Sequence, residues 1–243
     1  MTGATINLVD LADRRGHRHH GLWGALLVEP KGSTWLNPQD GTPLKSGAEA
    51  VIKWTEGTTV RRQREFVLDF QDGLNLRDGD GNAIPTPGEP DDPYEMGNRG
   101  INYRTERFAP RYAANPDPAY VMSSKVHGDP ATPVLRAYKG DPVRIRLLMG
   151  QDRGRAHSWV MHGHSWLNQP FDPASMLRTN RGGVMSGESF VFDLVGGAGG
   201  SQKSSGDYLY RDGNIVTQVN SGLWGIFRVL DAPVADLKTL DTL

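Results

Sequence analysis

The sequence predicts an all-β protein in which short strands form a two-sheet sandwich. The 243 residues include 30 Gly and 16 Pro, and the apolar runs between them are short. Several of these runs alternate apolar and polar residues, which is typical of strands that bury one face. Short strands separated by turn residues are typical of a sandwich. With 37% hydrophobic and 23% charged residues, the chain is expected to bury a core.

Three segments carry the clearest strand pattern, at residues 64–72, 143–149 and 190–195. Apolar residues occupy alternate positions in each, so one face of each strand is expected to lie against the core. Turn residues flank these segments, such as the Lys-Gly-Asp-Pro run before the second. Residues 72–98 are rich in Asp, Gly and Pro and predict a long loop, and the glycine-rich residues 196–206 predict a second loop at the surface.

The charge and composition of the chain exclude several kinds of function. Lys and Arg number 27 against 28 Asp and Glu, and this balance argues against a nucleic-acid-binding face. The apolar stretches are too short to span a bilayer, and the N-terminal sequence lacks the basic-then-apolar order of a secretory signal. A cytoplasmic location is therefore expected, unless the chain is exported with a partner. The absence of Cys excludes disulfides and any metal site that needs a thiolate from this chain.

An internal repeat indicates two units. Residues 21–28, Gly-Leu-Trp-Gly-Ala-Leu-Leu-Val, recur in similar form at residues 222–229, Gly-Leu-Trp-Gly-Ile-Phe-Arg-Val. If each copy of the repeat is the last strand of a domain, residues 1–36 are expected to be the terminal segment of an incomplete domain. Residues 37–243 are then expected to form a complete domain that contains the 72–98 loop. A lone strand leaves backbone groups unpaired. We therefore expect a partner to supply the missing sheet, either another chain or another copy of this one.

Six of the seven histidines fall in two clusters. The clusters are His17, His19 and His20, directly before the first repeat, and His157, His162 and His164. Residues two apart on an extended strand share a face at a spacing of about 6.5–7 Å, so His162 and His164 are expected to present both imidazoles to one region. Imidazoles with no thiolate and few carboxylates beside them favour copper or zinc.

Together, these motifs resemble the cupredoxin domains of multicopper oxidases. The resemblance rests on His-Gly-His-Ser-Trp at residues 162–166, on the strand at 139–147, on Gly-Asp-Tyr-Leu-Tyr at 206–210 and on Gly-Leu-Trp-Gly at 222–225. The opening strand at 21–30 resembles the end of another such domain. The resemblance implies a Greek-key sandwich, copper as the cofactor, and oxidation of a small-molecule or metal-ion substrate coupled to the reduction of dioxygen.

Several positions depart from the copper ligands of that family. The resemblance places His157 at a type 1 ligand position and His162 at a type 3 position, while Val160 replaces the type 2 ligand between them. The family's His-Cys pair, its next histidine and its axial Met correspond here to Arg211, Asp212, Gln218 and Leu223. Without a thiolate, a blue copper centre cannot form in this domain from its own residues.

Three functional hypotheses follow from these observations. In the first, the chain is a subunit of a split multicopper oxidase, and a second cupredoxin-containing chain completes the N-terminal domain, supplies the cysteine and shares copper sites at the subunit interface. The second is a cysteine-free copper-binding homo-oligomer, and the third is a degenerate cupredoxin that acts as a non-catalytic scaffold. The predicted copper ligands are His17, His19, His20, His157, His162 and His164.

Overall fold

Two packed β-sheets form the centre of the molecule. The computed structural model describes residues 3–13, 17, 22–74, 77–84, 98–150 and 156–243. The N-terminal strands are β1 (Thr5–Val9), β2 (Trp23–Leu27), β3 (Thr34–Leu36), β4 (Glu49–Glu56), β5 (Thr59–Leu74) and β6 (Asn98–Ile101). Two short helices follow, α1 (Phe108–Ala114) and α2 (Ser124–His127). The remaining strands are β7 (Val134–Tyr138), β8 (Val143–Leu148), β9 (His157–Met161), β10 (Trp166–Leu167), β11 (Leu177–Arg178), β12 (Asn180–Val184), β13 (Ser189–Asp193), β14 (Gly206–Asp212) and β15 (Trp224–Leu230).

The two main sheets each join strands that are distant in sequence. The six-stranded sheet has the order β13–β8–β5–β4–β3, with β6 paired to β5, and the five-stranded sheet has the order β12–β9–β14–β15–β7. Neighbouring strands are antiparallel except in the parallel pairs β5–β8 and β15–β7. Long connections between paired strands are typical of a Greek-key sandwich. The prediction of an all-β sandwich is confirmed.

The core between the sheets explains the alternation seen in the sequence. On β5, Phe66, Leu68 and Phe70 are buried, and the ring of Phe66 packs edge-on against Phe227 of the opposite sheet, with ring centroids 6.3 Å apart. Strands β8 and β13 add further alternating apolar side chains to the same core. Burying each of these side chains stabilises the fold by about 1.5–3 kcal/mol. The three segments with the clearest pattern are therefore strands, as predicted.

Strand β15 is buried on both of its faces. Phe227 and Val229 face the core between the sheets, while Trp224 and Ile226 pack against Phe108 of α1 on the outer face of the five-stranded sheet. Two-sided burial explains why this strand reads as a nearly unbroken apolar run. The helix that packs against it, α1, has no counterpart in the sequence-based prediction.

The N-terminal hairpin of β1 and β2 lies against the six-stranded sheet beside β13. The Ser189 hydroxyl donates a hydrogen bond to the carbonyl oxygen of Thr5 at 2.6 Å, and the Asn7 side-chain amide donates to the carbonyl oxygen of Glu188 at 2.7 Å. Within the described residues, β2 has β1 as its single strand neighbour, whereas its counterpart in the repeat, β15, lies between β14 and β7. The hairpin therefore leaves one edge of β2 without a strand.

The glycine-rich segment predicted as a surface loop at 196–206 is buried at residues 197–200, whereas residues 201–206 are exposed as predicted. Residues 197–200 are buried, and the Gly199 amide donates a hydrogen bond to Nε2 of His164 at 3.0 Å. A Cβ atom on Gly197 would lie 2.5 Å from the carbonyl oxygen of Asp141. Glycine is required here because neighbouring backbone approaches too closely for a larger residue.

Two further segments can be compared with the predicted domains and loops. Thr34–Leu36, which the predicted division assigns to the N-terminal segment, pairs with β4 in the six-stranded sheet. The predicted 72–98 loop falls partly outside the described residues, and its residues 77–84 form a turn closed by a bridge between Arg77 and Ala83. No helix in the described part of the chain is long and apolar enough to cross a membrane.

Candidate functional site

The second histidine cluster begins on β9, and the chain turns inside it. His157 is the first residue of β9, which ends at Met161, and Gly163 has a φ of 69°. This turn separates His162, which is exposed, from His164, which is buried. The prediction of an extended strand across His162 and His164 is wrong, because β9 ends at Met161 and the chain turns at Gly163, although both residues line the same cleft.

His157 links the two sheets of the sandwich through a buried ion pair on each side of its ring. Its Nε2 lies 2.6 Å from Oδ2 of Asp72 on β5, and its Nδ1 lies 2.8 Å from Oδ2 of Asp212 on β14. The His157 side chain is 0% exposed. Both ring nitrogens donate to carboxylates, and this requires the doubly protonated imidazolium. Neither nitrogen has a free lone pair for a metal ion.

A second cation completes this buried charge cluster. Nε of Arg99 lies 3.3 Å from Oδ1 of Asp72 and 3.2 Å from Oε1 of Gln218. Burial alone would lower the pKa of His157, but its hydrogen bonds to Asp212 and Asp72 and their negative charges outweigh burial and raise the pKa to about 10. Two carboxylates therefore face one imidazolium and one guanidinium in a cluster that is close to neutral.

Three positions where the family resemblance expects copper ligands surround His157. Asp212 accepts a hydrogen bond from its ring, and Gln218 contacts Arg99 in the same cluster. The carbonyl oxygen of the buried Leu223 accepts a hydrogen bond from the Asp212 amide at 3.0 Å. The structure thus brings these residues together, and the place corresponding to a type 1 centre holds an ion-pair cluster.

His164 is part of the packing between the turn and the core. Its Nδ1 donates to the carbonyl oxygen of His162 at 2.9 Å, and its Nε2 accepts from the Gly199 amide at 3.0 Å. Its ring packs against Tyr208 and Phe227. Burial lowers the pKa of His164, so the ring is neutral with the proton on Nδ1. A metal ion at Nε2 would have to displace a buried backbone donor.

His162 lies in an open cleft beside Arg211. Nε of Arg211 donates a hydrogen bond to Nε2 of His162 at 3.1 Å. Burial and the positive charge of Arg211 lower the pKa of His162, which keeps the ring neutral. The nitrogen that accepts from Arg211 therefore faces a fixed cation, which opposes the binding of a metal ion there.

Gly163 gives a direct test of the turn that separates these histidines. A Cβ atom at this position would lie 2.5 Å from Cε1 of Tyr208, in a backbone conformation with positive φ. We expect Gly163→Ala to lower the free energy of unfolding by about 2 kcal/mol, from backbone strain and the clash together. Urea unfolding measures this change.

Gly57→Ala is the matched control for Gly163→Ala. Gly57 has a φ of 61°, and a Cβ atom there would meet no heavy atom within 4 Å. The control variant carries the backbone strain without the clash, so its loss of stability should be smaller, at about 1 kcal/mol. Equal losses in the two variants would contradict the close contact between Gly163 and Tyr208.

In the N-terminal cluster, the structure describes His17 alone. Nδ1 of His17 is hydrogen-bonded to Oδ2 of Asp10, and this bond together with the charge of Asp10 raises the pKa of His17. The side chain of His17 is 48% exposed, and within the described residues its one hydrogen bond is the one at Nδ1. A carboxylate on one ring nitrogen orients the other outward, which is the arrangement that metal-binding histidines usually have. His19 and His20 lie outside the described residues.

The described part of the sandwich does not fit the copper ion that the family resemblance implies. Within the described residues, no three His, Cys, Asp or Glu side chains are grouped so that they could hold a metal ion. His157 and His164 use both ring nitrogens in hydrogen bonds, and Nε2 of His162 faces Arg211. The geometry of these three histidines gives no support to their prediction as ligands, whereas the side chain of His17 is about half exposed.

Asp10, Asp72 and Arg99 contribute to these sites, and reasoning from the sequence missed them. Asp72 is 85 positions from His157 in the chain, and only the packing of one sheet on the other brings them together. Its position at the end of a predicted strand gave no indication of a histidine partner. Asp10 lies seven positions before His17, close enough in sequence for an ion pair to have been considered.

Comparison with known proteins identifies the fold. No family model matches the sequence, and no curated protein matches it. Among solved structures, a copper nitrite reductase from Nitrosomonas europaea has 15% identity and a TM-score of 0.54, and the match covers 97% of this chain and 65% of that one. A multicopper oxidase matches with 16% identity and a TM-score of 0.47, over 88% of this chain and 52% of that one. A blue copper oxidase from Nitrosomonas europaea matches with 19% identity and a TM-score of 0.49, and the match covers 94% of this chain and 56% of that one.

The match to the copper nitrite reductase shows a cupredoxin-type sandwich. The chain spans between about half and two thirds of the length of the structures it matches. At identities below 20%, what is shared is the arrangement of strands, and fold alone does not specify function.

Proposed function

We propose that the chain is a subunit of a copper oxidoreductase of the multicopper oxidase type, in which copper binds at an interface with a partner chain. The partner is a second cupredoxin-containing chain or another copy of this one. Such an assembly would oxidise a small molecule or metal ion and pass the electrons to dioxygen. The observation that carries the proposal is the exposed and oriented imidazole of His17.

The surroundings of His17 support its role as a ligand. The Asp10 carboxylate holds Nδ1, so Nε2 points away from the carboxylate, and we propose that this nitrogen binds copper. Neutral imidazole is a good ligand for copper. His19 and His20 follow within three residues, and we propose that they act with His17.

The apolar face of the N-terminal hairpin supports the presence of a partner. Ile6, Leu8, Leu22 and Leu26 are each about half exposed. Ile6 and Leu26 are cross-strand neighbours, so their side chains share the hairpin face that points away from the six-stranded sheet. An apolar face beside a free strand edge is typical of a surface that another sheet covers. This surface lies on the same segment as His17.

The chemistry of the chain defines what the partner must contribute. A thiolate for a blue copper centre has to come from the partner, since this chain has no Cys. Copper, when bound, would supply one-electron transfer. The role of this chain is to present the imidazoles and to position them through Asp10. His162 is left out of the proposal because Arg211 occupies its Nε2.

Copper binding to the full chain tests the proposal. We expect the full chain in its assembled form, as a homo-oligomer or with a second cupredoxin-containing chain, to retain Cu(II) after dialysis, with the hyperfine pattern of imidazole nitrogens in its electron paramagnetic resonance spectrum. His17→Gln should weaken the binding by at least about tenfold, the effect of roughly 1.4 kcal/mol of lost ligand energy. The bound copper is measured as metal per chain, with the oligomeric mass determined on the same samples by light scattering.

His127→Gln is the control, since His127 belongs to neither cluster and lies on α2. Unchanged copper binding in His17→Gln, or equal losses in both variants, would contradict the proposed site. The double variant Ile6→Glu/Leu8→Glu tests the apolar face and should remain monomeric under conditions where the unaltered chain associates.

A further inference from the structure

The cleft beside His162 has a single charged residue in its lining. The proposed function does not involve this cleft. Its volume is about 440 Å³. The lining residues are Val160, Met161, His162, Gly163, His164, Ser165, Thr179, Asn180 and Arg211. Arg211 provides the charge, and none of these residues is a carboxylate. The cleft is therefore electropositive.

All the partners of Arg211 in the described structure are uncharged. Its Nε donates to the neutral His162 ring at 3.1 Å, and its Nη1 donates to the carbonyl oxygens of Asp212 and Gly213 at 2.7 and 3.4 Å. Its Nη2 makes no hydrogen bond within the described residues. The guanidinium is held in place by three acceptors and keeps its full positive charge and one free pair of donors.

Arg228 on the adjacent strand shows how a neutralised arginine of this sheet is arranged. Its guanidinium bonds both oxygens of Asp129, at 2.7 and 2.8 Å, and both oxygens of Asp207, at 2.8 and 2.9 Å. Two carboxylates thus satisfy Arg228 from within the chain. Among the residues that the structure describes, Arg211 has no such counter-ion and is half-buried, so its charge is available to a ligand.

The rest of the cleft favours an anion over a metal ion. Ser165, Thr179 and Asn180 bring hydroxyl and amide groups that donate hydrogen bonds. The same guanidinium that repels a metal ion at Nε2 of His162 attracts an oxyanion, and arginine binds carboxylate and phosphate groups in a defined geometry.

We infer that this cleft binds a small oxyanion, a phosphate or carboxylate group, with Arg211 as the anchoring residue and the polar side chains of Ser165, Thr179 and Asn180 as further donors. The inference concerns the residues of this chain alone. It does not depend on the proposed copper site, because His17 and Asp10 do not line the cleft.

Calorimetric titration of the copper-free full chain tests the inference, with inorganic phosphate and acetate as separate probes. We expect saturable binding of at least one of them at one site per chain, weakening as salt is added. Arg211→Gln should reduce the affinity at least about tenfold, and Arg211→Lys should restore part of it because the charge is kept but the fork geometry is lost. The stronger of the two probes identifies the chemical class of the natural ligand.

Arg228→Gln is the matched control, since it removes one arginine from the same sheet but one that is already paired. Its anion affinity should equal that of the unaltered chain, and thermal unfolding of each variant verifies that it is folded. The inference is overturned by the absence of saturable binding of either probe at millimolar concentration, or by equal affinity in the Arg211→Gln and unaltered chains. Copper bound by the unaltered chain and lost in His162→Gln would also overturn it, by assigning the cleft to a metal.

Discussion

Replacing His157 with alanine is expected to lower the free energy of unfolding by about 3–5 kcal/mol. The substitution removes an imidazolium whose side chain is 0% exposed and leaves the carboxylates of Asp72 and Asp212 buried without the cation between them. Arg99 continues to neutralise part of the charge on Asp72. Asp212 loses its cation and keeps hydrogen bonds from backbone amides of residues 158 and 214. Urea unfolding at pH 7 measures the loss.

The pH dependence of stability distinguishes an ion pair from simple packing at this position. The pKa of His157 is about 10 in the folded chain, against 6.5 for an unperturbed histidine. A group whose pKa is raised by folding stabilises fully below its unfolded pKa, and that stabilisation is lost as the pH rises through the folded value. The unaltered chain should therefore lose about 1 kcal/mol per pH unit between pH 6.5 and 10. His157→Ala should lack this slope.

His164→Ala serves as the comparison, because His164 is also buried but neutral. The His164→Ala variant should lose stability because the substitution leaves a cavity. Its free energy of unfolding should still fall with pH between pH 6.5 and 10, as in the unaltered chain. Parallel slopes in the unaltered chain and His157→Ala would show that His157 is not protonated in the fold. Where His157→Ala fails to fold, titration of the His157 ring by NMR in the unaltered chain gives the same information.

The strands were predictable from the sequence because their pattern reflects a local property. Phe66, Leu68 and Phe70 occupy alternate positions because they share the face of β5 that lies in the core between the sheets, and this spacing is present whatever the strand packs against. The sequence did not show that Asp69 and Gln71, on the other face of β5, are buried as well. Strand β15 also appears in the sequence as an apolar run, but the run does not specify what covers its second face. The helix α1, which covers it, was therefore missed.

The chemistry of the histidines was less predictable because it depends on partners brought by tertiary packing. The position of His157 in its motif favoured a copper ligand, and Asp72 from the opposite sheet makes it an imidazolium instead. The two-residue spacing of His162 and His164 favoured a shared face, and the positive φ of Gly163 separates them. In both cases the sequence identified the histidines as chemically important residues. Their protonation states and hydrogen-bond partners depend on neighbours that tertiary packing supplies.

The second large effect is expected at Arg146, which holds the N-terminal hairpin to the sandwich. Its Nη1 donates to the carbonyl oxygens of Gly3 and Ala4 at 3.1 and 2.9 Å. Its Nη2 is paired with Glu29, and its Nε lies 2.8 Å from Oε2 of Glu65 on β5. All three charged side chains are at most 3% exposed. We expect Arg146→Ala to lower the free energy of unfolding by about 3–5 kcal/mol, because it leaves two carboxylates buried together.

The stability lost in Arg146→Ala should depend on pH because Glu65 titrates. Burial raises the pKa of Glu65 to about 7, and the charge of Glu29 adds to this increase against the opposing charge of Arg146. A carboxyl group with a raised pKa stabilises below its unfolded value, and this stabilisation is lost as the pH rises to the folded one. The loss caused by Arg146→Ala should therefore be larger at pH 8, where Glu65 is charged, than at pH 5, where it is protonated.

Two further variants test whether the stability lost in Arg146→Ala comes from the buried carboxylates or would follow from the loss of any arginine. Arg61→Ala removes the exposed pair with Glu56, which lie 3.1 Å apart, and should cost at most about 1 kcal/mol. Adding Glu65→Gln to Arg146→Ala removes the carboxylate charge of Glu65, while Arg144 Nη1, 3.8 Å from Oε2 of Glu29, still faces the other carboxylate. Part of the lost stability should therefore return at pH 8 and little at pH 5. Equal losses at the two pH values, with no recovery in the double variant, would mean that Arg146 holds the hairpin through its bonds to the Gly3 and Ala4 carbonyls rather than through charge.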